Sequence, residues 1–296
     1  MMKTQEIGPL KIFFGRHPTY PYCNTLLIRG ERSLLVDPSC HRDTLFDIAQ
    51  KEKIDLLFNT HYHPDHIRYN FLFPAAEFLV HRLDAPCFRS LDSMAEWVGI
   101  NGTPYEAAWR LSLQNDFAYR ERQDIGEIED GTLLDLGGAT IRFLHFPGHT
   151  PGLTGFRIPE CDVVFLADME LSTLGPWYHN RRASIQGIID SVEKIRKMEA
   201  RVFIPSHGPV IPGDKIGSRL DRYLGNILAR ETKILEALAS PKTLDDLACM
   251  SLISRFRISR RVIWFLFERN MLEKHLERLA AAGRVVKVGD RYARQD

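Results

Sequence analysis

Residues 59–66 read Asn59-Thr60-His61-Tyr62-His63-Pro64-Asp65-His66, so three imidazoles and one carboxylate fall within the six positions 61–66. Side chains alternate along extended backbone, which puts His61 and His63 on the same side. Pro64 then bends the chain and lets Asp65 and His66 return toward them. Neutral imidazole and carboxylate are the donors of zinc, iron and manganese sites. One ion of ordinary coordination would not use all four groups, whereas two ions would. Three later apolar runs each lead to a further donor. His149 lies in the turn Pro147-Gly148-His149-Thr150-Pro151-Gly152, Asp168 follows Val164-Phe165-Leu166-Ala167, and His207 follows Phe203-Ile204-Pro205-Ser206. Ligand sites in α/β folds assemble at the carboxyl ends of strands. Four strands that each deliver a metal-type donor there read as one site.

The elements that must position these groups are legible around them. Thr25–Ile28 and Ser33–Val36 form a hairpin across Arg29-Gly30-Glu31-Arg32, closed by the turn residues Asp37-Pro38-Ser39. Residues 42–53 have the spacing of an amphipathic helix, and Asp55–Phe58 is a short buried strand that runs into the histidine cluster. Strands are expected again at 140–144, 162–166 and 201–204, with a helix at about 183–199 between the last two. Strands and helices interleave, so the domain is α/β. Residues 82–124 are a helical insertion rich in aromatics (Trp97, Tyr105, Trp109, Phe117, Tyr119). Such residues usually belong to a core, and a long insertion can also serve as a lid.

The chain divides at about residue 217 into a catalytic unit, 1–217, and a C-terminal unit, 218–296. The second has helical patterns at 220–238, 243–249 and 260–282, then a hairpin-like tail, which together suggest a winged-helix-like module. Residues 251–296 carry a net charge of +6 and the remaining 250 carry −5. The five cysteines are widely spaced with no CxxC, as expected for reduced thiols in a cytoplasmic protein,. The opening residues lack the pattern of a signal peptide, and the densest apolar run, 262–267, is far too short to span a bilayer. No membrane partner is expected.

The cluster His61-Tyr62-His63-Pro64-Asp65-His66, the turn Gly148-His149-Thr150-Pro151-Gly152, Asp168, and Ser206-His207-Gly208 occur in the order found in the metallo-β-lactamase-fold hydrolases, which this sequence resembles over about residues 10–215. The C-terminal extension resembles that of the β-lactamase-like protein 2 branch. The resemblance implies an αββα sandwich with a dinuclear site at one edge. Carried over, His61, His63 and His149 would hold the first metal, Asp65, His66 and His207 the second, and Asp168 would bridge them. Two divalent ions are implied, zinc first, with iron or manganese as alternatives. Asp37 matches an aspartate that orders the metal loop in the family. Three departures are local: Pro38-Ser39 follows Asp37, Ser206 precedes His207, and Arg68-Tyr69 follow the cluster where small residues are usual.

Two such cations lower the pKa of a shared water from 15.7 toward about 7. The expected reaction is therefore hydrolysis by metal-bound hydroxide, with Asp65 accepting a proton. The sequence contains no GxSxG that would place a serine nucleophile. Tyr178 and His179, in the loop after Asp168, are candidate donors to a substrate oxyanion. His17, His41, His81, His145 and His275 lack partners in sequence and read as ordinary histidines. A small-molecule acyl substrate (thioester, ester or lactone, as in glyoxalase II) is expected. The runner-up is single-strand RNA cleavage aided by Arg255, Arg257, Arg260, Arg261, Arg284, Lys287 and Arg291. A mononuclear iron persulfide oxidoreductase is a third reading, a metal-sensing regulator a fourth, and a homodimer is compatible with each.

Overall fold

The computed structural model describes residues 3–254 and 262–295. Two mixed sheets face each other. The first has seven strands in sequence order: β1 (Thr4–Ile7), β2 (Leu10–Phe13), β3 (Thr25–Ile28), β4 (Leu34–Val36), β5 (Leu56–Phe58), β6 (Glu77–His81) and β7 (Ile125–Ile128). The second has six: β8 (Leu133–Asp135), β9 (Thr140–His145), β10 (Thr154–Ile158), β11 (Val163–Ala167), β12 (Val202–Pro205) and β13 (Ile211–Pro212). The expected hairpin is β3–β4, antiparallel with Leu26 opposite Val36 and Ile28 opposite Leu34.

The period of two explains the layers. Leu26, Ile28, Leu34, Val36, Leu56 and Phe58 pack inward with Phe143, Phe156 and Phe165 of the second sheet. Their neighbours Leu27, Leu35 and Leu57 point the other way, into a second core with Leu45, Ile48, Phe88, Met94 and Trp97. Strands buried on both faces read as continuous apolar runs. Helices α1 (Arg42–Lys51), α2 (Pro64–Ile67), α3 (Ala85–Arg89), α4 (Leu91–Val98) and α5 (Glu106–Asp116) come from the first half of the chain. Helix α6 (Ile185–Arg196) covers the other sheet through Ile188, Val192 and Ile195, with α7 (Ile216–Ala237) beside it. The result is the expected αββα sandwich.

The aromatic insertion is the crossover that lets β7 run parallel to β6, a connection that parallel neighbours require. Trp97, Phe117 and Tyr119 are buried in the second core, Trp109 packs against it, and Tyr105 is exposed. Beyond α7 come β14 (Lys242–Thr243), α8 (Leu244–Cys249), α9 (Val262–Ala281), β15 (Val285–Val288) and β16 (Arg291–Arg294), the three strands forming a small sheet in the order β14-β16-β15. Residue 217 lies inside the first turn of α7, so the expected boundary cuts a continuous helix. The basic positions Arg255, Arg257, Arg260 and Arg261 lie outside the described residues. No described helix is long and apolar enough to cross a membrane.

Candidate metal centre

Each donor leaves the carboxyl end of a strand or the turn beyond it. His61 to His66 follow β5, His149 sits in the turn between β9 and β10, Asp168 follows β11, and His207 follows β12. The folded chain brings all seven together. His61, His63, His149 and Asp168 present ligand atoms within 4.8 Å of one another, as do Asp65, His66 and His207. His149 Nε2 lies 3.2 Å from His61 Nε2 and 2.8 Å from His63 Nδ1. Asp168 spans the two groups. Its Oδ2 is 3.3 Å from His149 Nε2, and its Oδ1 is 3.2 Å from His66 Nε2 and 3.5 Å from His207 Nε2. His207 Nε2 is also 3.4 Å from Asp65 Oδ2.

Hydrogen bonds behind the rings fix which nitrogens carry lone pairs. Asp37 accepts from the Thr60 amide (2.9 Å) and hydroxyl (2.7 Å) and from His66 Nδ1 (2.8 Å). Since the Thr60 hydroxyl donates to Asp37, its oxygen accepts from His61 Nδ1 at 3.0 Å. His149 Nδ1 donates to the Trp177 carbonyl at 2.7 Å. With these protons committed, His61 and His149 aim Nε2 lone pairs into the cluster, and His66 turns its Nε2 toward Asp168,. His66 Nε2 and Asp168 Oδ1 are buried with no hydrogen-bond partner. Lone pairs facing one another are repulsive until a cation sits between them. Donors about 2.0–2.1 Å from a tetrahedral zinc lie about 3.3 Å apart, close to the spacings here. The residues therefore fit metal ions.

Burial lowers His61, His63 and His149 below the ordinary imidazole range and keeps them neutral,. Burial alone would raise Asp168, but His66, His207 and His61 hold it well below the usual carboxylate range. Burial also works against charge on His66 and His207, yet the surrounding carboxylates raise both. In the metal-free chain protons thus occupy places that cations would take.

Of the two candidate oxyanion donors, one reaches the cluster. His179 is buried with its ring 5.1 Å from that of His63, and its Nδ1 has no partner. Tyr178 does not reach it. Consecutive side chains point to opposite sides, and its hydroxyl accepts from Arg230 Nη1 at 2.8 Å and contacts His275 Nε2 at 2.6 Å. Burial pushes this phenol up to about 12. An aromatic wall lies beside His179: Phe267 at 4.1 Å, and Trp177 at 5.5 Å with Trp264 behind it at 5.9 Å. Arg68 donates to the Asp116 carbonyl at the end of α5 and stacks over Tyr22, Tyr69 and Phe117.

Three supporting residues escape a reading by motif. Asn24 donates to the carbonyls of Pro205 and Gly208, both at 2.9 Å, and so holds the loop of His207. Asp84 accepts from the Thr150 hydroxyl (2.6 Å) and the Gly152 amide (2.7 Å), which fixes the turn of His149. Glu170 shares a cluster of ligand atoms with Asp168 and His207. Burial pushes its carboxyl up to about 7. Only Glu170 carried a signal, as a carboxylate two positions after Asp168. All five cysteines are free.

Residues 19–207 match the sequence profile described as the Metallo-beta-lactamase superfamily. A beta-lactamase-like protein 2 homolog from Caenorhabditis elegans is 28% identical over 111 residues, 38% of this chain and 36% of that protein. An atrochrysone carboxyl ACP thioesterase, AgnL7, from Paecilomyces divaricatus is 31% identical over 124 residues, 40% of this chain and 37% of that protein. The chain thus spans well under two thirds of these relatives' own length. A crystal structure of a metallo-beta-lactamase family protein from Thermus thermophilus superimposes with a TM-score of 0.73 at 24% identity, covering 97% of this chain and 99% of that one. At that identity the likeness is one of fold, and it extends through the C-terminal elements.

Proposed function

The chain belongs to the metallo-beta-lactamase superfamily, and on that footing we propose that it is a dinuclear metal-dependent hydrolase of a thioester, ester or lactone. The observation that carries this reading is the convergence of five imidazoles and two carboxylates in two groups that share Asp168. His61, His63 and His149 would hold one ion, Asp65, His66 and His207 the other, with Asp168 between them. Two divalent cations bound there would acidify water and polarise the oxygen of the electrophile.

The chain's own groups do the rest. Asp37, Thr60 and the Trp177 carbonyl lock ring orientations and tautomers before substrate arrives,. Asp65, 3.4 Å from His207, takes up the proton released as the nucleophile attacks the acyl carbon,. His179 donates to the oxyanion that forms. The wall of Trp177, Trp264 and Phe267 excludes water and offers an apolar surface to the acyl group,. Similarity to a protein named as a thioesterase supports a thioester among the three.

The test is metal content of the chain as purified, followed by acyl thioester, lactone and RNA substrates. Two ions per chain and acyl hydrolysis are expected. His61→Ala and Asp168→Ala should reduce turnover to background while circular dichroism stays that of the parent. Full turnover in a folded His61→Ala protein would overturn the assignment, and cleavage of RNA alone would overturn the substrate class.

A further inference from the structure

We propose that Glu170 is a protein ligand of the second metal position, giving that position three carboxylates and two imidazoles and a greater acceptance of manganese or iron than the first position has. This rests on the dinuclear reading above and adds a donor to it. Glu170 follows Asp168 by two residues. Carboxylate oxygens of both, and a ring nitrogen of His207, lie within 4.8 Å of one another. His207 is also a member of the group formed with Asp65 and His66. Glu170 thus shares two neighbours, Asp168 and His207, with the position that Asp65 and His66 also line.

His66 Nε2 and Asp168 Oδ1, both buried, face each other across 3.2 Å at this position, where a cation can take the place of a proton between them,. Ala167 and Leu171, which bracket the segment, both have φ of +50°, a conformation that non-glycine residues rarely adopt,.

The donor sets of the two positions then differ. The first has three imidazoles and one oxygen of Asp168, a set that suits zinc. The second is rich in carboxylate oxygen, which suits harder ions of higher coordination number. The second position therefore discriminates less strongly against manganese than the first does.

The experiment strips the full-length protein with chelator and restores Mn2+, Zn2+ or both. Ions per chain are counted by plasma mass spectrometry, affinities come from chelator competition, and the Mn2+ forms are examined by electron paramagnetic resonance. The wild type should bind two ions, give a spin-coupled manganese pair, and exchange the manganese of its first position for zinc before that of its second. Glu170→Gln should keep the first ion, bind the second at least about tenfold more weakly, and show isolated manganese. Glu170→Asp should restore part of that affinity. Should Glu170→Gln not fold, Glu170→Asp decides, because unchanged affinity there overturns the proposal. A folded Glu170→Gln protein with wild-type affinity and a coupled pair overturns the role of Glu170 alone. Fewer than two ions on the wild type overturns the dinuclear reading together with it.

Discussion

Single atoms decide which way each imidazole faces, and Asp37 has the widest reach. Its Oδ2 accepts from both His66 and Thr60, and Thr60 in turn accepts from His61. Asp37→Asn puts an amide donor where an acceptor stood and forces His66 to present its Nδ1 lone pair backward, leaving a proton on Nε2. Affinity for the second ion should fall about 10- to 100-fold, read by metal titration, with the fold retained. The pair Tyr178 and His179 separates by direction. Tyr178→Phe should cost about 1–3 kcal/mol in a urea titration, since Arg230 loses an acceptor, and leave kcat/KM near the parent. His179→Ala should lower kcat/KM about 10²-fold, the scale of an oxyanion donor. A collapse of catalysis in Tyr178→Phe would reverse this assignment. The histidine cluster was legible because four donors adjoin in sequence and motif order supplied the rest. Asn24 and Asp84 were not, because each acts on partners 66 to 184 positions away. Alternation alone could have warned that Tyr178 and His179 do not both face the cluster.

At the level of elements, strands buried on both faces announced themselves as apolar runs, and the hairpin and α6 fell close to where the pattern put them. Strand β10 did not stand out, because Thr154-Gly155-Phe156-Arg157-Ile158 contains a glycine and a charge. The glycine is required by packing: a Cβ at 155 would lie 2.0 Å from the Phe165 carbonyl of β11. Asp84 ties the start of α3 to the turn before β10, and it does so without a cation. Burial pushes its carboxyl up to about 7 despite hydrogen bonds from Thr150 and Gly152 that oppose the shift. The folded chain therefore holds this proton over a range where the unfolded chain, with an ordinary value near 3.8, has released it. Folding stability should fall as pH rises from about 4 to 7, by an amount on the order of 4 kcal/mol. Asp84→Asn removes the dependence while its amide can still accept from Gly152 and donate to Thr150. Urea titrations at pH 5 and pH 8 check this: the parent should lose stability between them, and Asp84→Asn should lose less. Parallel losses would place the effect elsewhere.

Across the whole molecule, the C-terminal elements are part of the structure that holds the metal-site loop. Arg230 of α7 donates to the carbonyls of Leu174 (2.7 Å) and Pro176 (2.6 Å) as well as to Tyr178. An arginine only donates, so the Tyr178 hydroxyl must give its proton to His275 Nε2, and His275 Nδ1 then faces Glu231, which Arg278 also pairs,. Asn270 of α9 donates to the His179 carbonyl at 3.0 Å, so α9 supports the loop of Trp177 and His179 and itself supplies Trp264 and Phe267 to the aromatic wall. Ile227, Ile234, Leu247, Met271 and Leu276 belong to the same apolar core as the two sheets. The sequence showed a change in helical content near residue 217 and a basic stretch over 251–296, which suggested separable units, because pattern cannot reveal how helices pack on earlier elements. The packing argues for one cooperative unit. Calorimetry of the full chain should give a single transition, and Arg230→Met should lower that whole transition by about 3 kcal/mol, because two buried acceptors and one half-buried acceptor lose their donor,. Two transitions, with only the later-sequence one responding to Arg230→Met, would mean that the C-terminal helices fold apart from the site they support.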